Sequence, residues 1–305
     1  MEKGKRQIKS DVTVNDTMDM KRALKFLAIV LGVCAITLLL SSIISNIKEN
    51  DVVILELSSF QIRDSKYIKI DDLFITSLSP NHLDQYLNQD FYYADKKRAL
   101  LFANNVFFLN ESNNILHIDK NNDFRINNYY QEISKFIMGK YNIYYINFII
   151  NYLISLGINE NKLLDNIKTI KSVKYRLEKP FLKGNYYFIN DSKSTSSASS
   201  EYAYESYKDK NIILILGGIH KSSPFSIKVK DDDLVLIYGK DSSLINSQIK
   251  GKIFINLEEI FIYLKQINKK GYYIIFSPGC SSYDQYKNYI KRGEHFTMLV
   301  NKYFS

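Results

Sequence analysis

The ionisable and hydroxyl side chains of this chain gather where short apolar runs end, the place where a parallel sheet presents groups to a ligand. Glu56, in ELSSFQ (56–61), closes the run VVILEL. Buried, such a carboxylate needs a cation or hydrogen-bond donors; otherwise it is a solvent-facing strand end. His82, in SPNHLD (79–84), follows the run DLFITS and offers a second metal ligand, although a lone His is as readily a surface residue. Lys96, in YYADKKRALLF, falls on the helix expected next, and its plain reading is a solvated helix charge. Further on, NDSKST (190–195) sets Asp191, Lys193 and Thr195 where a strand opens into a helix. Backbone N–H groups there attract anions, or the hydroxyls merely cap the helix. LGGIHK (216–221) joins a glycine turn, which lets the backbone approach a ligand, to the charge of Lys221. SPGCSSYDQYKNYIKRGEHF (277–296) is a strand-to-helix turn followed by an amphipathic helix. Each run alone is a plain turn. Three of them after three strands of one sheet make an anion-binding site the expected chemistry.

Apolar runs VVILEL (52–57) and DLFITS (72–77) are predicted as buried strands of a mainly parallel sheet, and 131–156 as a helix stopped by Gly157. NYYFIN (185–190), IILILGG (212–218), LVLIYG (234–239), KIFIN (252–256) and YYIIFSPG (272–279) alternate with helical segments. The class is therefore α/β, with a Rossmann-like doubly wound sheet in the C-terminal part and a domain boundary near 170–175. Residues 1–22 form a polar tail. Residues 23–47 are apolar, and 26–45 carry no charge over a length able to span a bilayer. Two readings stand: a membrane helix with the N-terminus inside, or a buried helix of an α/β domain. The first gives an inner-membrane tether with the catalytic domains in the cytoplasm, the second a cytoplasmic protein.

A net charge of +9 is spread along the chain with acidic residues between the basic ones, which argues against nucleic acid and for a phosphorylated small-molecule substrate. Cys34 and Cys280 form no CxxC or zinc pattern, consistent with a reduced, cytosolic fold.

In this order, ELSSFQ, SPNHLD, YRLE (175–178), NDSKST, LGG followed by a lysine, and the final SPGCSSYDQYKNYIKRGEHF motif resemble the Mur ligase family over residues 43–305. Within it they look most like the ligases that add D-glutamate to UDP-N-acetylmuramoyl-L-alanine in peptidoglycan synthesis. The resemblance implies a central ligase domain at 48–172, with a mainly parallel sheet, and a substrate-binding domain at 173–305. It implies ATP-driven amide formation through an acyl phosphate. Glu56 and His82 would ligate Mg2+, and Lys96 matches a lysine that is carbamylated in the family. Asn142, Arg176 and Asp191 would contact ATP. Lys193, Thr195, Lys221, Ser282, Tyr283 and Tyr289 match positions that hold or frame D-glutamate, with Lys193 and Lys96 counted as catalytic.

Departures concentrate on the nucleotide side. Ser77 stands before SPNHLD where an asparagine is usual, Tyr145 replaces the second asparagine of an HNxxN pattern, and Ile219 and His220 stand where an acidic residue often precedes Lys221. None of the twelve glycines begins G-x-x-x-x-G-K-[ST] or forms GxGxxG. The expectation is a ligase inactive by itself, lacking the phosphate loop and UDP-binding domain unless a separate N-terminal polypeptide supplies them. The alternative is a non-catalytic, membrane-tethered remnant.

Overall fold

The computed structural model describes residues 46–48, 51–66, 69–76, 78–79, 83–109, 115–117, 127–170 and 173–304. The apolar segment 26–45 and His82 lie outside them. Among the described residues no helix is long and apolar enough to cross a membrane. Two compact units separate, 1–61 and 62–305, so the expected boundary near residue 172 falls inside the second.

In the first unit, residues 51–58 form neither helix nor strand, which corrects the expected strand at 52–57. Val52 is 78% exposed. A β-strand exists through hydrogen bonds to a neighbour, which an apolar run cannot supply for itself. Ser58 and Gln61 close a local turn, with the Ser58 N–H donating to Gln61 Oε1 at 2.9 Å, and lead into helix α1 (Ser59–Asp64).

The second unit begins with strand β1 (Ile70–Ile75), helix α2 (Gln89–Lys97), strand β2 (Ala103–Leu109) and strand β3 (Ile115–His117). β1 pairs in parallel with β2, and β2 antiparallel with β3. Asn88 caps α2, accepting from the N–H groups of Asp90 and Phe91. The expected helix over 131–156 is two helices, α3 (Tyr130–Ser134) and α4 (Lys140–Ser155), followed by α5 (Glu160–Ile167). Gly139 breaks the run at φ 88°, while the apolar spacing continues across it and conceals the break. Ile133, Ile150, Leu163 and Ile167 form the core of these three helices. α4 also covers the small sheet: Phe74 stacks on Phe107 at 5.0 Å, and Tyr152 donates to Asp72 Oδ2 at 2.6 Å.

The larger sheet comprises β4 (Phe181–Lys183), β5 (Tyr186–Asn190), β6 (Ile212–Gly217), β7 (Leu234–Tyr238), β8 (Lys252–Phe254) and β9 (Tyr273–Gly279) in the order β4-β5-β9-β6-β7-β8. All neighbours are parallel except β4 with β5. Four helices flank it: α6 (Ser197–Glu205), α7 (Ser242–Gln248), α8 (Leu257–Ile267) and α9 (Tyr289–Phe304). Alternate residues of β6 enter different cores. Ile212, Leu214 and Leu216 pack with α6 and α7, and Ile213 and Ile215 with α8 and α9. This explains why IILILG is apolar throughout: both faces of the strand are covered. The strand β4 was not expected; three residues are too few to show a period.

β5 runs on into α6 on one face and β9 into α9 on the other, although the two strands are neighbours. Chain direction therefore diverges at their carboxyl ends and leaves a crevice there. Phe276 and Phe296 stack at 4.5 Å between sheet and α9, both fully buried. Phe276→Ala is expected to lower unfolding free energy by about 3–5 kcal/mol in urea denaturation.

Candidate functional site

The crevice is lined by the turn after β5 (190–195), the turn after β6 (217–221) and the turn after β9 (279–282). Asp191 and Lys193 come from the first, Lys221 from the second and Ser282 from the third, and Tyr289 opens α9 behind them. The Lys193 ammonium lies 4.3 Å from the Tyr289 ring centre, a cation–π distance. Ser282 is buried, and Thr195 is half-buried in the first turn.

These turns are tied together by a residue that the sequence reading did not single out. Arg292, on α9, is fully buried and is the largest such side chain among the described residues. Its guanidinium donates to Cys280 O at 2.9 Å, Ser192 O at 2.8 Å, Ser194 O at 3.2 Å and Ser192 Oγ at 3.1 Å. Ser192 Oγ in turn donates to Tyr289 O at 2.8 Å. A sequence signal existed: Arg292 keeps helical spacing with Phe296 and Leu299, on the apolar face of α9.

Burial pushes the Lys221 ammonium below its ordinary value; Asp84 and Cys280 oppose this, and the charges of Arg292 and Lys193 add to it. Lys221 thus senses two further cations, an arrangement that favours an anion beside it. Cys280 is an inert neighbour, its thiol pushed up to about 12 by burial.

Asp191 lies behind the cations. Burial raises its carboxyl from 3.8 to about 7, against the opposing effects of Ser277, the Leu177 N–H, Arg176 and Arg292. Ser277 Oγ donates to it at 2.7 Å and the Leu177 N–H at 2.8 Å. Arg176 is half-buried, and its Nε is buried with no partner among the described residues. Arg176 also acts electrostatically on Tyr145, whose hydroxyl donates to Thr76 O at 3.4 Å at the end of β1. Asn142 is committed locally, donating to Met138 O at 2.8 Å.

Other expected site residues lie elsewhere. Tyr283 is 71% exposed and borders an open cleft of roughly 720 Å3 with Ile219, Lys240, Glu259 and Asp284. Lys96 lies on α2, half-buried, with its ammonium 5.2 Å from the Tyr92 ring and held below its ordinary value by burial. Glu56, in the first unit, is exposed. The described residues contain no group of three His, Cys, Asp or Glu side chains able to hold a metal.

No family model matches the chain. It is 32% identical over 266 residues to proteins named UDP-N-acetylmuramoylalanine--D-glutamate ligase from Francisella tularensis subsp. holarctica and subsp. novicida, an alignment covering 82% of this chain. The chain spans 64% of the length of these relatives. Among solved structures, MurF from Acinetobacter baumannii superposes with a TM-score of 0.51 at 11% identity, over 75% of this chain and 59% of that one, a likeness of fold.

Two outcomes are expected from this geometry. The Arg292→Met variant leaves the carbonyls of Ser192, Ser194 and Cys280 without their donor and should cost about 3 kcal/mol or more in chemical denaturation. For Asp191, the folded carboxyl keeps a proton between 3.8 and about 7 that the unfolded chain has released. Its contribution to stability is therefore full below this window and is lost as pH rises through it. Relative to Asp191→Asn, the wild type should lose on the order of 2–4 kcal/mol between pH 4 and pH 8. A constant difference across that range refutes the assignment.

Proposed function

Because the chain belongs to the Mur ligase family, we propose that its second unit binds the amino-acid substrate of an ATP-driven amide ligase, with D-glutamate as that substrate. The observation that carries this reading is the carboxyl edge of the sheet, where the charges of Arg292 and Lys193 both act on the half-buried Lys221. A dicarboxylic amino acid offers two anionic groups to such a crevice. Lys193 and Lys221 are the donors for the carboxylates, with Thr195 and Ser282 supplying hydroxyls and Tyr289 bounding the pocket behind Lys193.

The amine must attack as a free base, so it needs to face away from the cations toward the activated carboxyl. Fixing the carboxylates achieves that orientation before reaction, and orientation is a large part of what such an enzyme contributes. The acceptor in this reading is UDP-N-acetylmuramoyl-L-alanine.

ATP would supply the phosphoryl group that activates its carboxylate. Arg176, with its unpartnered buried Nε, and Asp191 beside it suit the ribose or phosphates of a nucleotide. Asn142 would contribute only by giving up its bond to Met138 O. By resemblance, Glu56 and His82 would hold magnesium. The burial-lowered ammonium of Lys96 favours the neutral amine that carbamylation requires. A cytoplasmic setting accords with these substrates.

Calorimetry with D-glutamate tests the pocket. Binding to the full chain should weaken about tenfold or more in Lys221→Ala. D-glutamate-dependent ADP release, measured with and without a second polypeptide supplying the remainder of the relatives' length, tests the reaction. Binding without turnover in either mixture would favour the non-catalytic alternative, and absence of both would refute the proposal.

A further inference from the structure

The loop carrying Arg176 departs from ordinary backbone geometry on both sides. Tyr175 has φ 64° and Leu177 φ 39°, values that side-chain-bearing residues rarely adopt and that cost energy unless surrounding contacts impose them. Those contacts are present. The Tyr175 ring lies against Gly293 of α9 so closely that a Cβ there would come within 2.8 Å of its Cγ and 2.9 Å of its Cε1. Leu177 occupies in the same way the space a Cβ on Gly139 would need, at the start of α4. Both glycines are thus the only residue type that the neighbouring side chain tolerates.

Three backbone N–H groups fasten the loop from below. Glu178 donates to Asn190 O at 3.1 Å, Lys193 to Tyr175 O at 2.8 Å, and Leu177 to Asp191 Oδ1 at 2.8 Å. Arg176, the residue between the two contacts, is left with a buried Nε that nothing in the described chain satisfies.

We infer that Tyr175 and Leu177 are positioning residues: seated on Gly293 and Gly139, they clasp the strained loop between α9 and α4 and thereby aim Arg176 at a ligand. This rests on the nucleotide-side role proposed for Arg176 and adds the residues that set its direction.

Double-mutant cycles with NMR test the clasp on the full chain. In the wild-type background, Gly293→Ala forces a Cβ into the Tyr175 ring and should lower the urea midpoint. In the Tyr175→Ala background the same change only improves helix propensity and should raise it. Gly139→Ala should likewise be less damaging when combined with Leu177→Ala. Either single glycine variant should shift the Arg176 Nε–H resonance and speed exchange of the Leu177, Glu178 and Lys193 amides by about tenfold or more. Leu264→Ala, which removes a buried side chain of the core beneath α8, serves as a control and should leave the Arg176 resonance in place. The same sign for Gly293→Ala in both backgrounds overturns the inference, as does an Arg176 signal that moves equally in Leu264→Ala. A failure of the ligase reading would appear as absent ADP release with these readouts unchanged.

Discussion

A guanidinium buried without a carboxylate beside it organises the C-terminal half of this protein. Arg292 spends its donors on the carbonyls of Ser192, Ser194 and Cys280 and on the Ser192 hydroxyl, so two turns from different strands are held to one helix. Burying a charge is tolerable only where its hydrogen bonds are made, and four acceptors meet that condition here. Carbonyl oxygens satisfy the donors but do not neutralise the charge. The field of Arg292 accordingly reaches Asp191, Lys221, Tyr238, Cys280 and Tyr286.

That residual field gives the crevice its chemical character. Lys221 is held below its ordinary value by burial, and Arg292 and Lys193 push it further. An anion beside Lys221 would relieve that repulsion. Asp191 shows the opposite response. Burial raises it, while Ser277, the Leu177 N–H and the nearby arginines hold it back to about 7. A second layer supports this group: Ser200 Oγ donates to Ser277 O at 2.7 Å, linking α6 to β9. The polar groups of the site are fastened to one another by hydrogen bonds within the chain.

The central part of the second unit is built differently. Its small sheet rests on α4 through an aromatic group of Phe74, Phe107, Phe148 and Tyr152. Beyond β1, Ser79 Oγ lies 3.3 Å from the Tyr202 hydroxyl of α6, and Asp84 is the charge that most supports the Lys221 ammonium. Ser79 therefore meets α6 through a hydroxyl pair, and Asp84 acts on Lys221 through its charge. The Ser79–Tyr202 contact is part-buried, unlike the fully buried Arg292 network.

Much of the larger sheet was legible in the amino-acid sequence. Runs such as IILILG and LVLIY are apolar because strands covered on both faces must be, and polar or glycine-rich turns directly after them marked the carboxyl edge. Local pattern also located Lys193, Lys221 and Ser282 at that edge. Tertiary structure decided what local pattern could not. VVILEL has strand composition but no pairing, since hydrogen bonds across a sheet come from elsewhere in the chain. Gly139 divides a helix whose apolar spacing runs through it. Tyr283, one residue from Ser282, is exposed beside an open cleft, because adjacent side chains in a tight turn diverge. The spacing of Arg292 placed it on the apolar face of α9, but its partner Ser192, 100 residues away, is supplied by the fold alone. Sequence patterns report which side chains can be buried. Which groups they meet when buried is set by contacts between distant segments, and at this crevice those contacts set the fields acting on Lys221 and Asp191.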